Sequence, residues 1–326
     1  MTPQPQKVPV TVLSGFLGSG KTTLLNRILA SVDRSRVAVI ENDLGETSVE
    51  HDLVFRTDLA QLETVEGRSC CSARVEFVRL MRLLAATASK FDRILIETTG
   101  VAHPGMVAHA ILSDPELKEC FALDGIITVV DAKHIGQHLD EEGHANEQIA
   151  YADALVVNKT DLVTPEELTV LTAQLMAINS EARHYRTQEA QAPVEELLTL
   201  GGFDLRKVAQ SVAGCGAHTA TSSGCQDHAI ASFSVTVEGG LDPERFQAWI
   251  DGFIQQHAEN LFRCKGIIAI RNFPERLIFH GVHGVFRLSV GEPWADETPR
   301  SRAIFIGRGL DGGAILKGIE SCQAAA

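Results

Sequence analysis

The sequence predicts an α/β protein: a doubly wound, mostly parallel sheet in residues 1–205, then a smaller α+β domain in residues 229–326. Between residues 8 and 187, short β-branched apolar runs alternate with helical patterns, which is typical of a parallel sheet buried on both faces. The chain has 326 residues, enough for two domains. Residues 206–228 are rich in glycine, serine and histidine and predict the linker between the domains.

Each predicted element rests on a short run of sequence. In the first domain the expected strands are VPVTVL, RVAVIE, RILIE, GIITVVD and ALVVN. Residues 72–89 are expected to be helical because their apolar residues recur at helical spacing. In the second domain the expected strands are ASFSVTVEG, GIIAI, RLIFHGV, GVFRLSV and AIFIG. A helix is expected where Asp242 provides a cap and Pro243 the first helical residue.

Charge and composition narrow the class of protein. The net charge of −13 disfavours a nucleic-acid surface, which would need a basic stripe. The chain lacks an apolar run of roughly 18 residues, and its start, MTPQPQKVPV, lacks an apolar signal core, so we expect a cytoplasmic protein without a membrane span. In that compartment the seven cysteines should be reduced, which favours metal binding or plain burial over disulfides.

The segment GFLGSGKT, from Gly15 to Thr22, has P-loop spacing: glycine, four residues, glycine, lysine and threonine. It lies between a predicted strand and a predicted helix, where backbone N–H groups converge on phosphate oxygens. We expect Lys21 to reach the β- and γ-phosphates as a catalytic group, and the Thr22 hydroxyl to bind Mg²⁺. The alternative is a glycine-rich turn without chemistry. The predicted phosphate-binding residues are Gly15, Gly18, Ser19, Gly20, Lys21, Thr22 and Thr23.

The segment NKTD, which contains Asn158, Lys159 and Asp161, predicts which base is bound. A buried carboxylate at Asp161 can accept hydrogen bonds from the N1–H and 2-amino groups of guanine. Adenine lacks that edge, so it would leave the carboxylate unpaired, a mismatch that can discriminate by roughly 10⁴-fold. The motif therefore predicts binding of GTP and GDP, with a surface turn as the alternative.

The segment ILIETTG ends a predicted strand with a carboxylate and a glycine. Glu97 suits either the second shell of Mg²⁺ or the positioning of the attacking water. Gly100 could donate its N–H to the γ-phosphate and change conformation when that phosphate leaves. Both are predicted as catalytic residues, and an ordinary strand end with a turn glycine is the alternative.

Taken together, these segments resemble the CobW-like family of P-loop GTPases, and within it the YjiA branch. The resemblance implies a P-loop GTPase domain followed by a CobW C-terminal domain. It also implies a metallochaperone that couples GTP hydrolysis to delivery of a transition metal to a client metalloprotein, chiefly zinc, with Co²⁺ or Ni²⁺ as alternatives. The resemblance rests on GFLGSGKTTLLN, VAVIENDLGE, IETTGVAHP, DGIITVVDA, NKTD, LFRCKGIIAI and EPWADETPRSRAIFIG.

The family hallmark is a glycine followed by a cysteine, one residue and two further cysteines. Here Cys70 and Cys71 match, whereas Arg68 replaces the first cysteine. The pair precedes the predicted 72–89 helix, whose N-terminus favours the thiolate form, as does Arg68, although Arg68 also repels a metal cation. The resemblance implies that Glu41 and Glu46 complete the metal site. The alternatives are a buried cysteine pair and a solvated glutamate loop.

A second, weaker metal candidate lies in the predicted linker at Cys215, His218, Cys225 and His228, with a polar linker as its alternative. Other functions remain compatible with the sequence: a metal store or sensor with nucleotide-gated binding, and a GTPase regulator that has lost metal binding through Arg68. A signalling or ribosome-associated GTPase would need no cysteine pair, and the NKTD segment argues against a small-molecule kinase. A homo-oligomer is compatible with the sequence.

Overall fold

The computed structural model describes residues 7–42, 54–57, 71–98, 100, 103–139, 143–204 and 229–323. The chain divides into two compact units. The first comprises Met1–Met176 and Ala182–Gly202, and the second comprises Ala177–Glu181 and Phe203–Ala326. The exact linker bounds stay a prediction, because residues 205–228 lie outside the described residues.

Within the described residues, the first unit contains a seven-stranded sheet in which every neighbouring pair of strands is parallel. The strand order is β3-β2-β4-β1-β5-β6-β7, which confirms the predicted doubly wound sheet. The short strands β3 and β7 add to the five expected ones. Their bounds are β1 (Val8–Ser14), β2 (Val37–Asn42), β3 (Val54–Thr57), β4 (Arg93–Glu97), β5 (Phe121–Asp131), β6 (Ala154–Asn158) and β7 (Arg183–Arg186).

Helices connect these strands. The helix α2 begins one residue earlier than expected and ends at Ala85 rather than at residue 89. It ends early because the chain changes there to 3-10 geometry, in which the Thr87 N–H donates to the Leu84 carbonyl. In the described part of the chain, no helix has the length and apolarity that crossing a membrane requires. The helices are α1 (Lys21–Ser31), α2 (Cys71–Ala85), α3 (Pro104–Ser113), α4 (Pro115–Cys120), α5 (Gly136–Leu139), α6 (His144–Tyr151), α7 (Pro165–Ile178) and α8 (Val194–Leu197).

The core of the first unit forms where the central strands are apolar on both faces. Leu13 of β1, Leu95 of β4 and Val129 of β5 are almost completely buried, and Leu25 and Ile28 of α1 pack in the same cluster. Because the strands are parallel, their carboxyl ends lie at one edge of the sheet. The loops that follow β1, β4 and β6 therefore meet there, which is where ligands bind in sheets of this kind.

The second unit contains a five-stranded antiparallel sheet, in the order β11-β10-β9-β12-β8, which confirms the smaller α+β domain. The predicted cap at Asp242 is present, since its Oδ1 accepts from the N–H groups of Glu244 and Arg245. The C-terminal helix was not predicted, because it begins with two glycines. The elements are β8 (Ile230–Glu238), α9 (Pro243–Gln256), β9 (Leu261–Ile268), β10 (Glu275–Val282), β11 (Val285–Pro293), β12 (Arg300–Arg308) and α10 (Gly312–Ser321).

Aromatic side chains fill much of the core of the second unit. The Trp249 ring stacks on Phe253 with centroids 5.3 Å apart and meets Phe305 edge-on at 6.2 Å. Trp294 is buried, with the Arg276 guanidinium 4.8 Å from its ring centroid. Cys264 is a free thiol in this core, and burial raises its pKa to about 12, so it packs there as a neutral side chain.

Candidate nucleotide-binding site

The loop between β1 and α1 has a backbone that requires glycine at specific points. Gly15, Gly18 and Gly20 have φ angles of 134°, 74° and 110°. A Cβ on Gly15 would lie 2.2 Å from the carbonyl oxygen of Val129, and one on Gly20 would lie 2.6 Å from Nδ2 of Asn158. The loop is therefore packed tightly against β5 and β6, with Gly20 at the start of α1. This arrangement fits a phosphate cradle at a helix N-terminus.

Lys21 folds back over this loop. Its Nζ donates to the carbonyl oxygens of Gly15 at 2.9 Å and Phe16 at 3.2 Å. An ammonium group has three donors, so these two bonds aim the side chain and leave one donor for a ligand. Burial lowers the pKa of Lys21, and the nearby carboxylate of Glu97 partly opposes that shift. A bound phosphate would favour the charged form further.

Thr22 and Glu97 bring the phosphate loop and β4 together. The Thr22 hydroxyl donates to Oε1 of Glu97 at 2.8 Å. The other carboxylate oxygen, Oε2, is buried without a hydrogen-bond partner among the described residues. Burial raises the pKa of Glu97, although Thr22 and Lys21 partly counteract it. A hydroxyl beside an unsatisfied carboxylate oxygen is a donor set that suits Mg²⁺. Thr23, the next residue of α1, is exposed.

Asn158 connects the phosphate loop to the loop after β7. Its side chain is 3% exposed, and Nδ2 donates to the carbonyl of Ser19 at 3.0 Å. Its Oδ1 accepts from the Ala190 N–H at 2.8 Å and from the Thr187 hydroxyl at 3.3 Å. One buried amide thus holds the phosphate loop and the loop after β7 together, which gives Asn158 a structural role.

Replacing Asn158 by alanine should therefore destabilise the first unit by about 2–4 kcal/mol, because buried groups on both loops lose their partners. Native-state hydrogen exchange of the β1 and β6 amides measures this loss for the unit alone. Asn146→Ala is a matched control, since the Asn146 side chain donates one hydrogen bond, to the Leu139 carbonyl at 3.1 Å. Equal losses in the two variants would contradict the prediction.

The rest of the NKTD segment lies at the end of β6. Lys159 Nζ contacts Oδ2 of Asp131 at 2.7 Å. Burial opposes ionisation of Asp131, but hydrogen bonds from Lys159, His134 and the Lys133 N–H outweigh it and lower its pKa. The sequence predicted a buried carboxylate at Asp161, but Asp161 is exposed. It lies in a short 3-10 turn, Thr160–Leu162, that follows β6.

Three further residues at this end of the sheet were not predicted as site residues from the sequence. Asp131 ends β5 and holds Lys159, and its place at the carboxyl end of a strand is the one signal that points to it. The rings of Phe16 and His138 lie 4.0 Å apart beside the loop. A cavity of about 230 Å³ there is lined by Phe16, Leu17, Gly18, Asp131, His134, Ile135, His138 and Lys159.

Two other predicted site residues lie close to Glu97: Gly100 follows it in the chain, and Glu41 is opposite it in the sheet. Gly100, three residues after Glu97, lies against the phosphate loop, so that a Cβ there would be 2.6 Å from the Leu17 nitrogen. Glu41 lies within β2 rather than in the loop after it, is 8% exposed, and is directly opposite Glu97 in the register of β2 and β4. A candidate metal ligand and a candidate nucleotide residue are therefore adjacent.

Most of the predicted metal ligands lie outside the described residues. Cys71 is the first residue of α2, whereas the sequence placed both cysteines before a helix that begins at residue 72. The part of the chain that the structure describes contains no group of three or more histidine, cysteine, aspartate or glutamate side chains that could hold a metal ion. The remaining candidate ligands lie outside the described residues, as does Arg68: Glu46, Cys70, Cys215, His218, Cys225 and His228.

The parallel sheet, the glycine loop at the start of α1 and the clustered strand ends define a P-loop nucleotide-binding protein. A family model described as CobW/HypB/UreG, nucleotide-binding domain, matches residues 9–186. A second, described as cobalamin synthesis protein cobW C-terminal domain, matches residues 230–323. The chain belongs to this family, and the expected resemblance is confirmed.

Relatives of this chain are known from bacteria and yeast. The zinc chaperone YjiA of Escherichia coli strain K12 is 33% identical over 305 residues, covering 92% of this chain and 94% of that protein. Zinc-regulated GTPase metalloprotein activator 1 of Schizosaccharomyces pombe is 37% identical over 206 residues, covering 60% of this chain and 50% of that protein. The crystal structure of Zn(II)-bound YjiA GTPase from E. coli is 29% identical, covers 98% of this chain and 100% of that chain, and has a TM-score of 0.78.

Proposed function

We propose that this chain hydrolyses GTP and couples its nucleotide state to the binding and delivery of zinc to a client metalloprotein. The observation that carries the proposal is the register pairing of Glu97, which bonds Thr22 in the phosphate site, with Glu41, a candidate metal ligand. The names of the relatives, a zinc chaperone and a zinc-regulated GTPase metalloprotein activator, support the choice of reaction and metal.

For hydrolysis, the P-loop backbone holds the phosphates and Lys21 supplies positive charge to the β- and γ-phosphates. Thr22 and Glu97 would hold Mg²⁺, which neutralises the negative charge that develops on the phosphates. The Thr22 hydroxyl donates a hydrogen bond to Glu97, which keeps the Glu97 carboxylate beside the phosphate loop. Gly100 lies against Leu17, which would place its backbone where the γ-phosphate binds. Asp161 selects guanine over adenine by the two hydrogen bonds described above.

The distance between the two sites favours direct coupling. Neighbouring strands are about 4.8 Å apart, and residues in register point to the same face of the sheet. Glu41 and Glu97 are such a pair. A change in the ligands of Glu97 therefore acts on Glu41 through one strand spacing. Cys71, at the start of α2, belongs to the same unit.

If the sites are coupled, the Zn²⁺ affinity should differ between the GDP-bound protein and the protein bound to a non-hydrolysable GTP analogue. By linkage, Zn²⁺ should change the affinity for the GTP analogue by the same factor, roughly 5- to 150-fold. Competitive Zn²⁺ titration in both nucleotide states measures the first quantity, and nucleotide titration with and without Zn²⁺ measures the second. Parallel titrations with Co²⁺ and Ni²⁺ test the choice of metal.

Two variants show whether the cysteine pair takes part. Cys70→Ser should weaken Zn²⁺ binding, and Arg68→Cys should tighten it and release more protons, because a third thiol must ionise. Unchanged Zn²⁺ affinity in Cys70→Ser, with a lower melting temperature, would favour the GTPase regulator that has lost its metal. Coupled affinities with no effect of Zn²⁺ on GTP turnover would favour a metal store or sensor.

A further inference from the structure

The glycine that follows β4 is held by a side chain from another part of the first unit. Gln148 of α6 donates through Nε2 to the carbonyl oxygen of Gly100 at 3.1 Å. Gln148 is 1% exposed, so water does not compete for this bond. The bond fixes the peptide group on the C-terminal side of Gly100, and with it the rotation of a residue that has no Cβ to restrict it.

Gln148 is itself anchored to the sheet. The buried Thr128 hydroxyl of β5 donates to the backbone carbonyl of Gln148 at 2.7 Å. Thr128 lies opposite Ser14 in the register of β5 and β1, and Ser14 directly precedes Gly15. The position of Gln148 is thus set by the strand that adjoins the phosphate loop.

The helix α6 also contacts the chain just after Gly100. The side chain of Glu147, the neighbour of Gln148, contacts Nε2 of His103 at 2.9 Å. His103 is the N-cap residue of α3. At the next residue but one, Gly105 leaves room for the ring of Tyr151, which a Cβ would approach to 2.4 Å. Contacts at residues 100, 103 and 105 show that α6 holds this segment at several points.

We propose that Gln148 is a positioning residue that keeps Gly100 directed at the γ-phosphate. Two contacts support this role: Gly100 lies against Leu17 of the phosphate loop, and the hydrogen bond from Gln148 holds the Gly100 carbonyl in that place. A preorganised donor does not lose conformational freedom when the phosphate binds. The γ-phosphate is the group that distinguishes GTP from GDP, so Gln148 should affect affinity for GTP and not for GDP. This inference rests on the role proposed above for Gly100.

The test is Gln148→Met, which keeps the volume of the side chain and removes the donor. Affinities for GDP and for a non-hydrolysable GTP analogue are measured by titration, and kcat by phosphate release. We expect the preference for the GTP analogue over GDP to fall roughly 3- to 10-fold, the worth of one net hydrogen bond, with GDP affinity within twofold. His144→Ala, an exposed change on the same helix, should change neither affinity. An unchanged or increased preference in Gln148→Met would overturn the proposal.

A second variant covers the case in which Gln148→Met does not fold. Thr128→Val removes the bond that anchors Gln148 and should lower the same preference by a smaller factor, whereas an unchanged preference contradicts the proposal. Gly100→Ala distinguishes a failure of the role of Gln148 from a failure of the role of Gly100. If Gly100→Ala lowers the preference and Gln148→Met does not, the inference about Gln148 fails alone. If Gly100→Ala leaves the preference unchanged, the proposed role of Gly100 fails as well.

Discussion

Replacing Lys21 by alanine should reduce the rate of GTP hydrolysis by at least about 10²- to 10³-fold, the loss that follows removal of one preorganised donor to a developing charge. Lys21 is buried and aimed by two loop carbonyls, and no other cation of the phosphate loop could replace it. Hydrolysis by the unmodified chain without an activating partner is expected at roughly 10⁻⁴–10⁻² s⁻¹. Single-turnover assays with radiolabelled GTP resolve rates of this size.

The control for this variant is Lys133→Ala. Lys133 is exposed, and its contact with Asp131 is made by its backbone N–H, which alanine retains. The rate should then match that of the unmodified chain. If Lys21→Ala hydrolysed GTP at an undiminished rate while remaining folded, the phosphate site would have to be elsewhere in the chain.

Asp161→Asn should lower the affinity for GDP by roughly 10²- to 10⁴-fold, because the hydrogen bond from the 2-amino group is lost, the one from N1–H no longer goes to a charged group, and the new amide donor faces the 2-amino donor. The asparagine carbonyl can still accept from the guanine N1–H, but its amide group opposes the 2-amino group. Xanthine has a carbonyl at that position, which the amide can pair with. The variant should therefore prefer xanthosine diphosphate to GDP, and titration of both nucleotides measures the preference.

Glu166→Gln is the matched control for Asp161→Asn. Glu166 is exposed in the first turn of α7, five residues after Asp161, so its change removes a nearby carboxylate without facing the base. Nucleotide preference should be unchanged. Equal affinity of the unmodified protein for ATP and GTP would show that Asp161 does not recognise guanine.

The central strands could be predicted from the sequence because burial on both faces makes them continuously apolar. The edge strand β7 could not, since its four residues, Arg183–Arg186, are mostly polar and only partly buried. The phosphate loop could be predicted because the spacing of its glycines reflects the backbone conformation that the loop requires. The positive φ angles at Gly15, Gly18 and Gly20 show this conformation.

The side chains that contact the residues of the site could not be predicted from the sequence in this way. A glutamine within an eight-residue helix gives no sign that it will meet Gly100, because that contact depends on how α6 packs on β5. The Asp131–Lys159 contact likewise joins the ends of two strands that are neighbours only in the folded sheet. The exposure of Asp161 depends on a local turn that the NKTD letters do not specify.

The two tryptophans of the chain, Trp249 and Trp294, both belong to the second unit. One stacks on Phe253 and the other lies beneath the Arg276 guanidinium, so each has a defined surrounding. The nucleotide-binding unit contains no indole. Intrinsic tryptophan emission therefore comes entirely from the second unit. Once the light that the nucleotide itself absorbs is corrected for, a change in that emission on nucleotide binding to the first unit reports a change around a tryptophan of the second unit.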